Sequence, residues 1–121
     1  MVMIETHGLT HIHLYVTDID RSLRFYRDAF GLQEVFRDGP TTVFLRPPNT
    51  CDTITINEAP QRARSGGGIG HFGFRLVDKS QLDDAIRVVE RAGGRLIERG
   101  EHGGGSPYAY VADPDGHVIE L

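Results

Sequence analysis

The chain lacks the features that would mark it as exported, membrane-spanning or nucleic-acid-binding. It has one cysteine, Cys51, so no disulfide forms within the chain, which fits a reducing compartment. As a lone thiol Cys51 is read as structural or incidental rather than nucleophilic. No apolar run approaches the ~20 residues that cross a bilayer, and Met1-Val2-Met3-Ile4-Glu5 has neither the basic segment nor the long apolar segment of a leader. A block of basic residues is absent too: 13 Lys and Arg are interspersed with 17 Asp and Glu, for a net charge of −4, which disfavours a phosphate-tracking surface. A cytoplasmic protein with no nucleic-acid or membrane partner is expected. Hydrophobic residues make up 39%, low for a core standing alone, so further burial in a homodimer is expected. At 121 residues the chain is one domain, or two small modules sharing a core.

What the chain does have is a repeated pattern. His11-Ile12-His13-Leu14-Tyr15-Val16-Thr17-Asp18 and His71-Phe72-Gly73-Phe74-Arg75-Leu76-Val77-Asp78 both open on histidine and both alternate in the manner of a two-faced strand. After the first copy, Asp18 or Asp20 caps a helix over 21–30, with Leu23, Tyr26 and Phe30 on one stripe and Gly31 as its stop. Short strands at 42–45 and 53–56 follow, parted by Pro47-Pro48-Asn49. After the second copy, Ser80 caps a helix with Leu82, Ala85, Ile86 and Val89 on its apolar stripe, ended by Gly93-Gly94. Strands at 95–98, 108–112 and 117–121 complete the unit. The fold class is therefore α+β with two β-α-β-β-β modules, at 9–58 and 70–121, joined by a flexible linker at 59–69.

Matching the modules end to end sets Thr55 at the counterpart of Glu120. The last hairpin is specified more finely. Asp113-Pro114-Asp115-Gly116 suits a type I turn followed by a left-handed glycine, which pairs Asp113 with His117 and brings Tyr110 opposite Glu120. Two strand-initial histidines and one carboxylate, His11, His71 and Glu120, make a 2-His-1-carboxylate set with open positions for substrate. Such a set suits one divalent ion per site, whether Fe(II), Mn(II), Co(II), Ni(II) or Zn(II). His13, Tyr15, Thr55, Asn57, Gly73 and Arg75 share the face of these ligands by strand alternation and are expected to line the pocket. His13 and Tyr110 are the candidates for proton transfer, and Tyr15, Thr55, Asn57 and Arg75 those for substrate binding. His102 reads as an exposed loop histidine, and His7 and His117 as non-ligands.

The motifs Thr10-His11-Ile12-His13-Leu14-Tyr15-Val16-Thr17-Asp18, Gly70-His71-Phe72-Gly73-Phe74 and Asp113-Pro114-Asp115-Gly116-His117-Val118-Ile119-Glu120-Leu121 resemble the vicinal oxygen chelate superfamily. That superfamily includes glyoxalase I, extradiol dioxygenases, fosfomycin-resistance enzymes and bleomycin-binding proteins, and the resemblance runs from Leu9 to the last residue. It implies paired β-α-β-β-β modules with sheets curled around a metal at His11, His71 and Glu120. It also implies a homodimer whose sites are formed between modules.

Glyoxalase I-like members carry a fourth ligand where this chain has Thr55, which argues against that activity. Extradiol enzymes carry a tyrosine ten residues before the glutamate, as Tyr110 stands here, but also a histidine where this chain has Cys51-Asp52. Fosfomycin-modifying members share the ligand set and extend past the glutamate with basic residues, a role that would fall here to Arg46 or Arg75. Bleomycin-binding members lack the ligands. The resemblance thus implies a metal-dependent enzyme, of dioxygenase or of lyase and isomerase type, whose small substrate chelates the metal through adjacent oxygens.

Overall fold

The computed structural model describes residues 5, 11–63 and 71–121; His7, the expected glycine-rich part of the linker at 66–68 and the motif residues Leu9, Thr10 and Gly70 lie outside them. In the first module, β1 (Ile12–Val16) leads into helix α1 (Ile19–Phe30), then β2 (Gln33–Asp38), β3 (Thr42–Arg46) and β4 (Ile54–Glu58). A helical turn, α2 (Pro60–Ala63), occupies part of the expected linker. The second module runs β5 (Phe72–Gly73), α3 (Leu82–Arg91), β6 (Arg95–His102), β7 (Ser106–Ala112) and β8 (Val118–Glu120).

The strands form two four-stranded mixed sheets, in the orders β1-β4-β3-β2 and β5-β8-β7-β6. β1 runs parallel to β4 and β5 parallel to β8, while the remaining pairs are antiparallel. The repeat seen in the sequence is therefore a repeat of topology.

The ends of α1 follow the sequence closely. Asp18 caps α1, its side chain accepting from the Arg21 amide at 3.1 Å, and Gly31 closes it in a left-handed conformation at φ 68°. Ser80 is not the cap of α3. Asp78 takes both the amide and the hydroxyl of Ser80 on one oxygen, at 2.9 and 2.7 Å, and opens a short 3-10 turn before α3 begins. The aspartate stands at the better distance to collect those donors, so the serine becomes a donor instead of an acceptor.

The strand expected at 71–77 is short. Phe74 keeps one ladder bond, donating to the Glu120 carbonyl at 2.9 Å, but its ring turns to stack on Phe30 at 4.4 Å, and the chain then leaves the sheet. Arg75 consequently lies beyond the strand and is exposed.

One core serves both modules. Val16 and Ile56 from the first sheet, Val111 and Ile119 from the second, Phe25 and Tyr26 from α1 and Val89 from α3 are all essentially inaccessible to water. The buried edge of α1 is Ile19, Ser22, Phe25 and Tyr26, with Leu23 and Phe30 partly covered beside it. Each large apolar side chain so buried contributes about 1.5–3 kcal/mol.

Polar ties reinforce the join between modules. The Tyr26 hydroxyl donates to Asp113 at 2.9 Å. Asp115 accepts from the Thr17 amide and hydroxyl at 3.1 and 2.7 Å and from Arg21 at 3.1 Å. With the backs of both sheets committed to the core, His11, His13 and Glu120 are left on the opposite, open faces.

Candidate functional site

The hairpin between β7 and β8 forms as its residues dictate. Asp113 and His117 pair, with the Asp113 amide donating to the His117 carbonyl at 3.0 Å, and the Gly116 amide closes the turn on the Asp113 carbonyl at 2.9 Å. Gly116 takes φ 90°, a conformation glycine adopts without the Cβ penalty. The register then sets Tyr110 directly opposite Glu120, and Gly73 lies on the other flank of Glu120. A Cβ at Gly73 would stand 3.0 Å from the Glu120 carbonyl oxygen and 3.4 Å from its Cβ, so the bare glycine gives Glu120 its room.

Around Glu120 the second sheet gathers an aromatic and imidazole cluster. His71 Nε2 is 3.3 Å from Glu120 Oε1, and the His71 ring meets the Tyr110 ring edge-on at 5.0 Å. His102 Nε2 is 3.0 Å from the other carboxylate oxygen, Oε2, and its ring stacks on Tyr108 at 4.3 Å. Glu120 is thus held by two imidazoles, one on each oxygen.

His102 is exposed, as the sequence suggests, but it does not belong to a loose loop, the placement that the following Gly103-Gly104-Gly105 implies. The glycines in fact make a tight turn, so that His102 ends β6 opposite Ser106, on the face that carries Tyr110. A glycine run read as a hairpin turn rather than as a loose loop was the available signal.

The Tyr110 phenol is pushed above its ordinary range by burial first, and then by the charge of Glu120 and by Tyr108 and Glu98. It remains a hydrogen-bond donor at neutral pH.

The open face of the first sheet carries the other expected residues. His11, His13 and Tyr15 follow one another along it, with ring centroids 6.4 and 5.2 Å apart. His13 Nε2 lies 3.2 Å from the Asn57 amide nitrogen, and burial followed by the charge of His11 lowers the His13 pKa, which favours a neutral ring able to accept a proton.

Register makes the comparison between modules exact at two positions. Thr55 lies between His13 and Phe44 as Glu120 lies between Gly73 and Tyr110. Thr55 therefore replaces the carboxylate and Phe44 the tyrosine. Thr55 is fully buried, and its hydroxyl has no hydrogen-bond partner. His117 Nε2 donates to the Tyr15 carbonyl oxygen, 2.8 Å away, and serves the join between modules. Cys51 is exposed.

Over residues 8–121 the sequence matches the model of the Glyoxalase/Bleomycin resistance protein/Dioxygenase superfamily. The chain belongs to that superfamily. Its relatives differ in their named activities. A lactoylglutathione lyase of Arabidopsis thaliana is 34% identical over 121 residues, covering 92% of this chain and 42% of the relative. A catechol-2,3-dioxygenase of Bacillus subtilis is 30% identical over 132 residues, covering 98% and 43%. The chain spans about two fifths of the length of these two proteins.

A solved superfamily structure, the fosfomycin resistance protein FosX of Listeria monocytogenes complexed with Mn(II) and a dihydroxypropylphosphonic acid, aligns with a TM-score of 0.80 at 22% identity. It covers 97% of this chain and 90% of that one. At that identity the likeness is one of fold.

Superfamily enzymes of this kind hold a divalent ion, and the second sheet offers two of the three donors of a fitting set. His71 nitrogen and Glu120 oxygen converge, and both are ligand types that borderline divalent metals accept. Among the described residues of one chain, no three His, Cys, Asp or Glu side chains converge as a metal site, so the fold does not bring His11 to that pair within one copy.

Proposed function

We propose that the chain is a divalent-metal-dependent enzyme whose small substrate chelates the ion through two adjacent oxygens, with chemistry of the dioxygenase type. The site is completed by a second copy of the chain. The observation carrying this reading is the second-sheet cluster: Glu120 flanked by His71 and His102, opposite Tyr110, with a threonine rather than a carboxylate in the matching place of the first sheet.

His71 and Glu120 of one copy and His11 of the other would hold the ion. When bound, the ion would supply Lewis acidity toward the chelating oxygens and, as iron, redox chemistry.

The chain's own side chains do the remaining work. Tyr110, kept protonated, donates a hydrogen bond to a substrate oxygen. His13, kept neutral, accepts a substrate proton. His102 fixes the orientation of the Glu120 carboxylate, and Asn57 lines the first-sheet wall, with Thr55 buried beneath it.

The 34% identity to a lactoylglutathione lyase favours a second reading, isomerisation of a small chelating substrate at the same site. Thr55 weighs against it, because a hydroxyl is a poorer ligand than the carboxylate of the other module. A fosfomycin-type transferase or hydrolase, or a metal-free drug-binding role, has less support from the residues present.

Metal analysis with sedimentation tests the proposal. A homodimer carrying one divalent ion per chain is expected, with the ion lost in both His11→Ala and Glu120→Ala. A stable monomer that retains the ion, or failure to bind any divalent ion, refutes it. Oxygen uptake with catechols then separates ring oxidation from isomerisation of the chelating substrate.

A further inference from the structure

Tyr108 is the aromatic side chain of the second sheet that the proposed chemistry leaves without a task. It is half-buried and sits on β7 directly opposite Gly100 of β6. A Cβ at Gly100 would stand 2.8 Å from the Tyr108 hydroxyl oxygen and 3.1 and 3.2 Å from Cζ and Cε1 of its ring. The ring therefore leans over the bare backbone of β6, in the space that any other residue at position 100 would fill. Strand glycines often mark such close approaches, and an aromatic neighbour across the ladder covers them.

That lean bears on His102. His102 lies two residues beyond Gly100 on β6, whereas Glu120 is on β8, with β7 between the two strands. Side chains two strands apart start about 9–10 Å from each other. The imidazole covers that span lying on the Tyr108 ring, with centroids 4.3 Å apart and planes 20° from parallel, while the Tyr110 ring meets Tyr108 edge-on at 5.3 Å. His102 Nε2 then reaches Glu120 Oε2 at 3.0 Å. An ionised carboxylate only accepts, so Nε2 carries the hydrogen and donates it.

We propose that Tyr108 is a positioning residue for the metal site. Lodged over Gly100, its ring holds His102 on Glu120 Oε2 and leaves Oε1, the oxygen 3.3 Å from His71 Nε2, to the ion. A carboxylate free to swing must be ordered when the ion binds, which costs affinity; hydrogen-bond partners of metal ligands are worth roughly 10–100-fold in metal affinity for this reason. The inference rests on the reading of Glu120 as a metal ligand given above.

The test is calorimetric titration of the purified protein with Mn(II), with circular dichroism and thermal unfolding of each variant. Tyr108→Leu is expected to weaken binding about tenfold, and Tyr108→Phe, which keeps the ring, to stay within about twofold of wild type. In Gly100→Ala the added Cβ meets the movable end of the ring rather than backbone, so affinity should fall severalfold with Tm nearly unchanged. Because Tyr108 acts through His102, Tyr108→Leu should cause no further loss in the His102→Leu background.

Unchanged affinity in folded Tyr108→Leu or Gly100→Ala, equal losses in Tyr108→Leu and Tyr108→Phe, or a loss that adds to that of His102→Leu overturns the positioning role while leaving Glu120 as a ligand. Where Tyr108→Leu does not fold, Gly100→Ala decides alone. Failure of the wild type to bind Mn(II) overturns the ligand reading, and this inference with it.

Discussion

Replacing Tyr26 by phenylalanine removes one oxygen from the place where the two modules are joined. Tyr26 is completely buried and Asp113 is 3% exposed. The hydroxyl donates to Asp113 Oδ2 at 2.9 Å, while Oδ1 is already occupied by the amides of Asp115 and His117 at 2.9 and 2.8 Å. In Tyr26→Phe, Oδ2 is left against an aromatic edge with no water to replace the donor.

A hydrogen bond to a charged group is worth about 1.5–3 kcal/mol net, and stranding its partner costs a similar amount. The expected loss is therefore about 2 kcal/mol, equivalent in a chain of this size to a fall of roughly 6–10 °C in Tm. Urea unfolding measures it as a shift of midpoint at unchanged m-value.

The pH dependence supplies a second readout. Burial, reinforced by Asp113, holds the Tyr26 phenol well above its ordinary value of 10.0. Above about pH 10 an unfolded chain gives up that proton while the folded chain keeps it. The unfolded state then binds fewer protons, so stability falls as pH rises. The variant lacks this component, and its deficit should shrink above that pH. A variant within about 0.5 kcal/mol of wild type at neutral pH, or a deficit that stays constant through the alkaline range, would refute the reasoning.

Two further substitutions separate folding from function. A Cβ at Gly94 would lie 2.6 Å from the Ala112 carbonyl oxygen, 2.7 Å from Val89 and 2.8 Å from Phe25, so Gly94→Ala should destabilise by about 1–3 kcal/mol in thermal unfolding, and a neutral result would mean that the α3–β6 corner yields easily. Gly73→Ala meets one backbone oxygen at 3.0 Å; it should displace Glu120 and weaken Mn(II) binding severalfold in a calorimetric titration while leaving Tm nearly unchanged, and unaltered affinity would show that Gly73 does not set the position of Glu120.

The hairpin shows how much of the site local chemistry can specify. Asp113-Pro114-Asp115-Gly116 demands one turn, the turn demands one register, and the register puts Tyr110 against Glu120, all within a dozen residues. The same locality accounts for the capping of α1 by Asp18 and for the equivalence of Thr55 and Glu120, since both follow from strand alternation and module length. The reading was too long at β5, which ends at Gly73, while Phe74 stacks on Phe30 of the other module. It failed again at His102, whose contact with Glu120 joins residues eighteen apart in sequence across an intervening strand.

The sequence by itself determined the duplicated topology, the open-face positions of His11, His13 and Glu120 and the asymmetry between modules, because period-two alternation and turn geometry are local. Tertiary structure decided which donors meet. Pairing of β5, β8, β7 and β6 into one sheet brings His71 and His102 to Glu120, and the shared core of Val16, Phe25, Val89 and Ile119 turns the backs of both sheets inward and leaves His11 on the other sheet. That outcome depends on how two apolar faces pack against each other, a relation between distant residues that no local pattern encodes.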